Sequence, residues 1–182
     1  LADAQGDYLY LGLGHIVKSY AFLGTYSASE AVKSAELGVA AFEAIQDSFQ
    51  VQRAKLQLAD SYHATKDYAK ALGIYQELIQ TCQKDTITMC RALIHGAYSL
   101  YLANPEQADS ALHYYERALA DYGASMSPVE AAHLGLVAAK AGNTELAHQV
   151  TEQLKVSGKY PEQRAYLEYS RTPAENHYIC KS

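Results

Sequence analysis

The chain has 182 residues, 49% of them hydrophobic and 19% charged, with a net charge of −5 and an isoelectric point near 5.8. That suffices for one buried core or one continuous helical array, and four prolines with no Ser/Gly tract argue against a disordered linker. The acidic balance, without any local Lys/Arg cluster, argues against a nucleic-acid partner, and no apolar run approaches the roughly 20 residues of a membrane span.

No strand-like alternation is sustained, whereas apolar residues recur at helical spacing throughout. The spacing predicts helices over 7–24, 28–46, 49–65, 67–83, 86–103, 105–121, 128–141, 144–157 and 161–171, with a last one starting at Pro173. In the first of these, Leu13, Ile16, Val17, Tyr20 and Leu23 fall close to one face. Gly12-Leu13-Gly14 lies inside that stripe with no strand before it, so it does not read as a phosphate loop.

Start and stop signals punctuate the series. Ser27-x-x-Glu30, Asn104-Pro105-x-Gln107, Ser127-Pro128-x-Glu130 and Thr172-Pro173-x-Glu175 all read as capping boxes. Three of them carry Pro at the first helical position, where its missing donor costs nothing. Gly24, Gly123, Gly142 and Gly158 fall where the turns belong. Connections this short make consecutive helices antiparallel neighbours. The expected organisation is therefore one domain over 1–182, with hairpins near 7–46, 49–83, 86–121 and 128–157 and an incomplete one over 161–182. An incomplete last hairpin implies a native protein that continues beyond Ser182, and a start at Leu1 without Met implies a processed or trimmed piece. A signal peptide or lipid anchor has room upstream, which leaves the compartment open between cytoplasm and periplasm.

Within the hairpins one pattern returns three times. Leu58, Ala59 and Tyr62 precede Ala71, Tyr75 and Leu78; Tyr98, Ser99 and Leu102 precede Ala111, Tyr115 and Ala118 at the same spacing. Leu134, Gly135 and Ala138 then precede Ala147 and Leu154, with Thr151 where an aromatic stood before. Two helices that touch along a seam need small residues at the crossing and bulky ones beside it. These residues resemble the tetratricopeptide repeat, with Ser19, Phe22, Ala31, Ala35 and Gly38 forming a degenerate first copy. The series Ala31, Ala71, Ala111, Ala147 steps by 40, 40 and 36, longer than the family's ordinary period of about 34. The phrase Ala108-Asp109-Ser110-Ala111-Leu112 also looks like repeats common in regulatory proteins of Bacteroidetes-type bacteria. The resemblance implies an all-α, right-handed superhelical solenoid of antiparallel helical hairpins, about four and a half repeats long.

The resemblance also implies a concave groove lined by the first helix of each hairpin. Carried onto this sequence, the groove positions are Arg53, Leu56, Asp60, His63 and Ala64, then Leu93, Gly96, Leu100 and Ala103, then Val129, Ala132, Leu136, Ala139 and Lys140. The functional expectation is that Arg53 reads a carboxylate while Asp60 or His63 meets peptide backbone. The plainer expectation is a solvated face with Asp60 and His63 one turn apart. The apolar positions suit an extended apolar segment, an amphipathic helix, or the chain's own segment 160–182 folded back. The carboxylate clamp of some family members is disfavoured, because Asp60 stands where a neutral or basic side chain is wanted.

Sixteen Tyr against three Phe and no Trp fit half-buried positions in thin helical layers, or an aromatic recognition surface. Cys82, Cys90 and Cys180 show neither a disulfide framework nor zinc spacing, and the seven histidines form no H-E-x-x-H pair. No hydrolase or nucleotide motif is present, so neither cofactor, metal nor enzymatic activity is expected. The leading expectation is a scaffold that holds a protein or peptide, with self-association allowed by the uncovered last hairpin. The alternative is a sensory or oligomerising domain of a larger signalling or transcriptional regulator.

Overall fold

The computed structural model describes residues 2–82, 85–122 and 126–157, and among them it contains helices and no strand. The helices are α1 (Ala2–Gly24), α2 (Ala28–Ala44), α3 (Ser48–Ala64), α4 (Tyr68–Thr81), α5 (Thr86–Ala103), α6 (Ala108–Tyr122), α7 (Pro128–Lys140) and α8 (Thr144–Ser157). The protein is all-α. The expected helices over 161–171 and from Pro173, the Thr172 box, the stops at Gly123 and Gly158, Cys180, and the fold-back of 160–182 lie outside the described residues.

Caps place the helix starts, and aspartate supplies most of them. Asp47, Asp67 and Asp85 accept from backbone N–H groups of α3, α4 and α5. Ser127 and Glu130 form the reciprocal capping box on α7. Two other expected boxes are corrected. The Ser27 side chain makes no cap bond, and Asn104 caps a 3-10 turn over Pro105–Gln107 through the N–H of Glu106. That tight turn delays α6 to Ala108.

Four of the turns close in one way. Ser27, Asp47, Asp67 and Asn143 each donate their N–H to a carbonyl five residues back, at Phe22, Phe42, Tyr62 and Ala138. The residue just before each donor is left-handed: Tyr26, Gln46, Lys66 and Gly142, with φ of 59, 56, 64 and 78°. Only Gly142 meets that demand without a side-chain penalty. Lys66→Gly and Gln46→Gly are therefore expected each to raise stability by about 0.5–1 kcal/mol, read as a higher denaturation midpoint at unchanged slope. A fall in midpoint for both would show that these side chains matter more than their backbone geometry.

Each helix packs on the next, and α1, α3, α5 and α7 also touch in succession. Most of the seam residues are enclosed, while Leu58, Tyr62, Tyr98 and Leu102 are half-buried. Ala59, Ala71, Tyr75, Leu78, Ser99, Ala111, Tyr115, Ala118 and Ala138 are fully enclosed, as are Ser19 on α1 and Ala31 and Ala35 on α2. Gly12 and Gly38 let α1 and α2 close up, since an added Cβ would sit 2.7 Å from the Phe42 ring or from Ile16. The core accordingly falls into three clusters that follow the helices in chain order, centred on Phe42, on Tyr75 and on Leu93 with Tyr115. The stripe on α1 differs from expectation: Leu13, Val17 and Tyr20 are 40, 67 and 48% exposed. Among the described residues, helix α1 packs chiefly on α2 and α3, which leaves these three side chains exposed. No helix among the described residues is long and apolar enough to cross a membrane.

Candidate functional site

Three helices that touch in succession each offer a pair of side chains three residues apart: Asp60 and His63 on α3, His95 and Tyr98 on α5, Glu130 and His133 on α7. Three-residue spacing puts both members of a pair on one face. All six line a cavity of about 350 Å³, together with Val129, Ile94 and the rings of Tyr75 and Tyr115.

A continuous chain of charge crosses the helices beneath this cavity. The Asp60 carboxylate, 12% exposed, accepts from Tyr75 Oη at 2.6 Å and His95 Nδ1 at 2.7 Å on Oδ1, and from Arg91 at 3.2 Å on Oδ2. The other nitrogen of His95, Nε2, donates to Glu130 Oε1 at 3.0 Å. The second oxygen of Glu130 closes the capping box, accepting from the Ser127 N–H at 2.6 Å. One imidazole thus ties α3, α5 and α7 together.

The electrostatics follow from that geometry. Burial alone would lower the pKa of His95, but the carboxylate of Asp60 and the hydrogen bonds to Asp60 and Glu130 outweigh it and hold it up at about 9. His95 is therefore an imidazolium with both N–H groups committed. Burial opposes ionisation of Asp60, yet His95, Tyr75 and Arg91 together pull its pKa below the usual carboxylate value. Glu130 is pulled down to about 2, chiefly by the His95 hydrogen bond and further by the Ser127 bonds.

The other two histidines of the cavity, His63 and His133, behave oppositely. Burial, reinforced by His63 and His95, pushes His133 down to about 4, and burial with the charge on His95 also lowers His63. Both are neutral rings near pH 7. His133 lies flat on Tyr98, with centroids 3.6 Å apart and planes within 6°. His63 shares a 2.8 Å hydrogen bond with the buried Ser99 hydroxyl. Among the described residues, no three His, Cys, Asp or Glu side chains converge as a metal site.

The residues expected in a groove divide sharply. Asp60 and His63 reach the cavity, but they do not bond to each other, and Asp60 already accepts three bonds from side chains of its own chain. Arg53 does hold a carboxylate, that of Asp85 at 3.0 Å, while lying 4.4 Å over the Phe49 ring. It therefore completes the cap of α5. Leu56, Leu93, Leu100 and Leu136 are at most 7% exposed and form core, so they support the site from beneath. Lys140 is exposed on the last turn of α7 and does not line the cavity. Of the further groove positions, Val129 lines the cavity and is 46% exposed. Sequence reasoning missed Arg91, His95, Tyr98, Glu130 and His133.

Compared with known proteins, the chain matches no family model, no curated protein and no solved structure.

Proposed function

We propose that the chain is a helical-repeat array of the tetratricopeptide kind, which holds a protein or peptide segment at the cavity bordered by α3, α5 and α7 and performs no chemistry on it. One observation carries this reading: three successive odd-numbered helices turn matched residue pairs onto a single cavity already held rigid by the Asp60–His95–Glu130 tie. A site fixed before binding loses little side-chain entropy when it is filled, so modest contacts suffice. A domain with the same site inside a larger regulator would bind in the same way and differ only in what binding triggers.

Catalysis has one observation on its side, since titratable groups with strongly displaced pKa values gather in a cavity. The groups are nonetheless poorly placed to move protons. His95 has no free nitrogen, Asp60 already accepts three bonds, and the buried Ser99 hydroxyl beside His63 does not line the cavity. His133, at about 4, is a weak base near neutrality. Binding accounts for the arrangement without asking any of them to react.

The test is a random-sequence peptide library selected on the wild-type protein and on Val129→Trp, which fills the cavity from an exposed position. Selected peptides are expected to lose more than about tenfold in affinity on the variant while its thermal transition is unchanged. Peptides retained equally by a folded variant would move binding away from this cavity.

A further inference from the structure

One enclosed polar atom on a residue of the cavity wall has no partner among the described residues. Tyr115 is fully enclosed, its ring belongs to the seam between α5 and α6, and its hydroxyl has no hydrogen-bond partner among the described residues. Burial, with Tyr98 and Glu130 nearby, raises its pKa further above the tyrosine value, so it stays a hydroxyl able to donate one bond and accept others. A buried hydroxyl is normally satisfied. Phenylalanine would fill the same seam without that liability.

The surroundings define what could satisfy it. The carboxylates of Asp60 and Glu130 are balanced by His95 and Arg91, all four engaged with one another, so the cavity presents no uncompensated charge. His63 and His133 are neutral. The walls include flat rings, Tyr98 stacked on His133 and Tyr75 edge-on to His95, and the apolar side chains of Val129 and Ile94. At about 350 Å³ the space is more than twice the roughly 150 Å³ of an apolar cavity known to hold benzene. Resting on the peptide-holding reading above, we propose that this cavity takes one uncharged aromatic ring bearing a hydroxyl, the chemistry of a peptide tyrosine side chain, with Tyr115 Oη as its hydrogen-bond partner. The ring lies among the aromatic walls, and its hydroxyl exchanges a hydrogen bond with that of Tyr115. A charged ring is rejected because its counter-ions are already in use.

The probes are p-cresol, toluene and 4-methylbenzoate, titrated by amide NMR into the wild type, Tyr115→Phe and Val129→Trp. Expected on the wild type are shifts at the amides of Tyr98, Val129 and His133, with p-cresol binding about tenfold more tightly than toluene, as one recovered hydrogen bond gives. In Tyr115→Phe the two neutral rings should bind alike, and that variant should fold at least as stably as the wild type. Cavity shifts from none of the rings up to their solubility limits would overturn the proposal. So would a cresol preference that survives Tyr115→Phe, or methylbenzoate binding as tightly as cresol. The peptide reading fails separately: library peptides lost on Val129→Trp but not displaced by p-cresol would sink the ring assignment alone. Specific cresol binding without any Val129-sensitive peptide would uphold the ring site and sink the peptide reading.

Discussion

The variant His95→Ala is expected to melt about 6–12 °C below the wild-type protein. Removing the imidazole leaves Asp60 with Arg91 and Tyr75, and leaves Glu130 with only its cap bonds, while both carboxylates remain largely enclosed. Breaking such a tie costs about 3 kcal/mol, because a buried charge loses its partner without regaining full hydration. A domain of this size shifts by about 2–4 °C for each kcal/mol. Arg53→Ala is the control. Its side chain is 47% exposed, and Asp85 keeps three other donors from Ile87 and Thr88, so its loss should cost under about 1 kcal/mol. Thermal transitions of the two variants within a degree of each other would show that the three-helix tie carries no special weight.

Stability is also expected to peak near pH 6.5 and to fall on both sides, for two different histidines. The pKa of His95 rises from 6.5 to about 9 on folding, so the folded chain holds a proton that the unfolded chain gives up between those values. Its contribution is complete below pH 6.5 and is lost as pH climbs through about 9, a change on the order of 3 kcal/mol. His133 moves from 6.5 to about 4, so the unfolded chain takes up a proton first. Its contribution is complete above pH 6.5 and disappears as pH falls through about 4. Glu130, lowered from 4.5 to about 2, steepens the acid side below pH 4.5. Urea midpoints from pH 4 to 9.5 would show the peak. His95→Gln should flatten the alkaline limb and His133→Phe the acid limb; a limb that keeps its slope in its own variant would refute that assignment.

Most of the helical architecture was legible because it rests on local chemistry. Apolar spacing found all eight described helices, most bounds lying within two residues, and small residues such as Ala59, Ala111 and Ala138 marked the seams. The left-handed closures were legible too, though unread: Phe22, Phe42 and Tyr62 recur every twenty residues, each five before Ser27, Asp47 or Asp67, the residue that precedes the next helix. The site was legible only in part. Aligning hairpins by their alanines gave a step of 40 and pointed to Leu93 and Leu100, which face the core. The cavity uses a step of 35, through Asp60, His95 and Glu130 and again through His63, Tyr98 and His133. Side chains that meet across neighbouring helices are chosen by where the axes pass each other, and repeat register does not encode that. Whether Asp60 faces water or His95 is likewise decided 35 residues away.

That separation has a consequence for how the chain acquires its shape during synthesis. As the polypeptide leaves the ribosome, Asp60 emerges with only Tyr75 within its own hairpin to answer it. His95 arrives 35 residues later and Glu130 after another 35, so the tie is completed link by link from the amino end. Until α7 appears, the imidazolium is held on one side only. A stalled chain ending in α6 would therefore present the Asp60 half of the latch without its closing half, and commitment of the central helices to one another would wait for the first turn of α7.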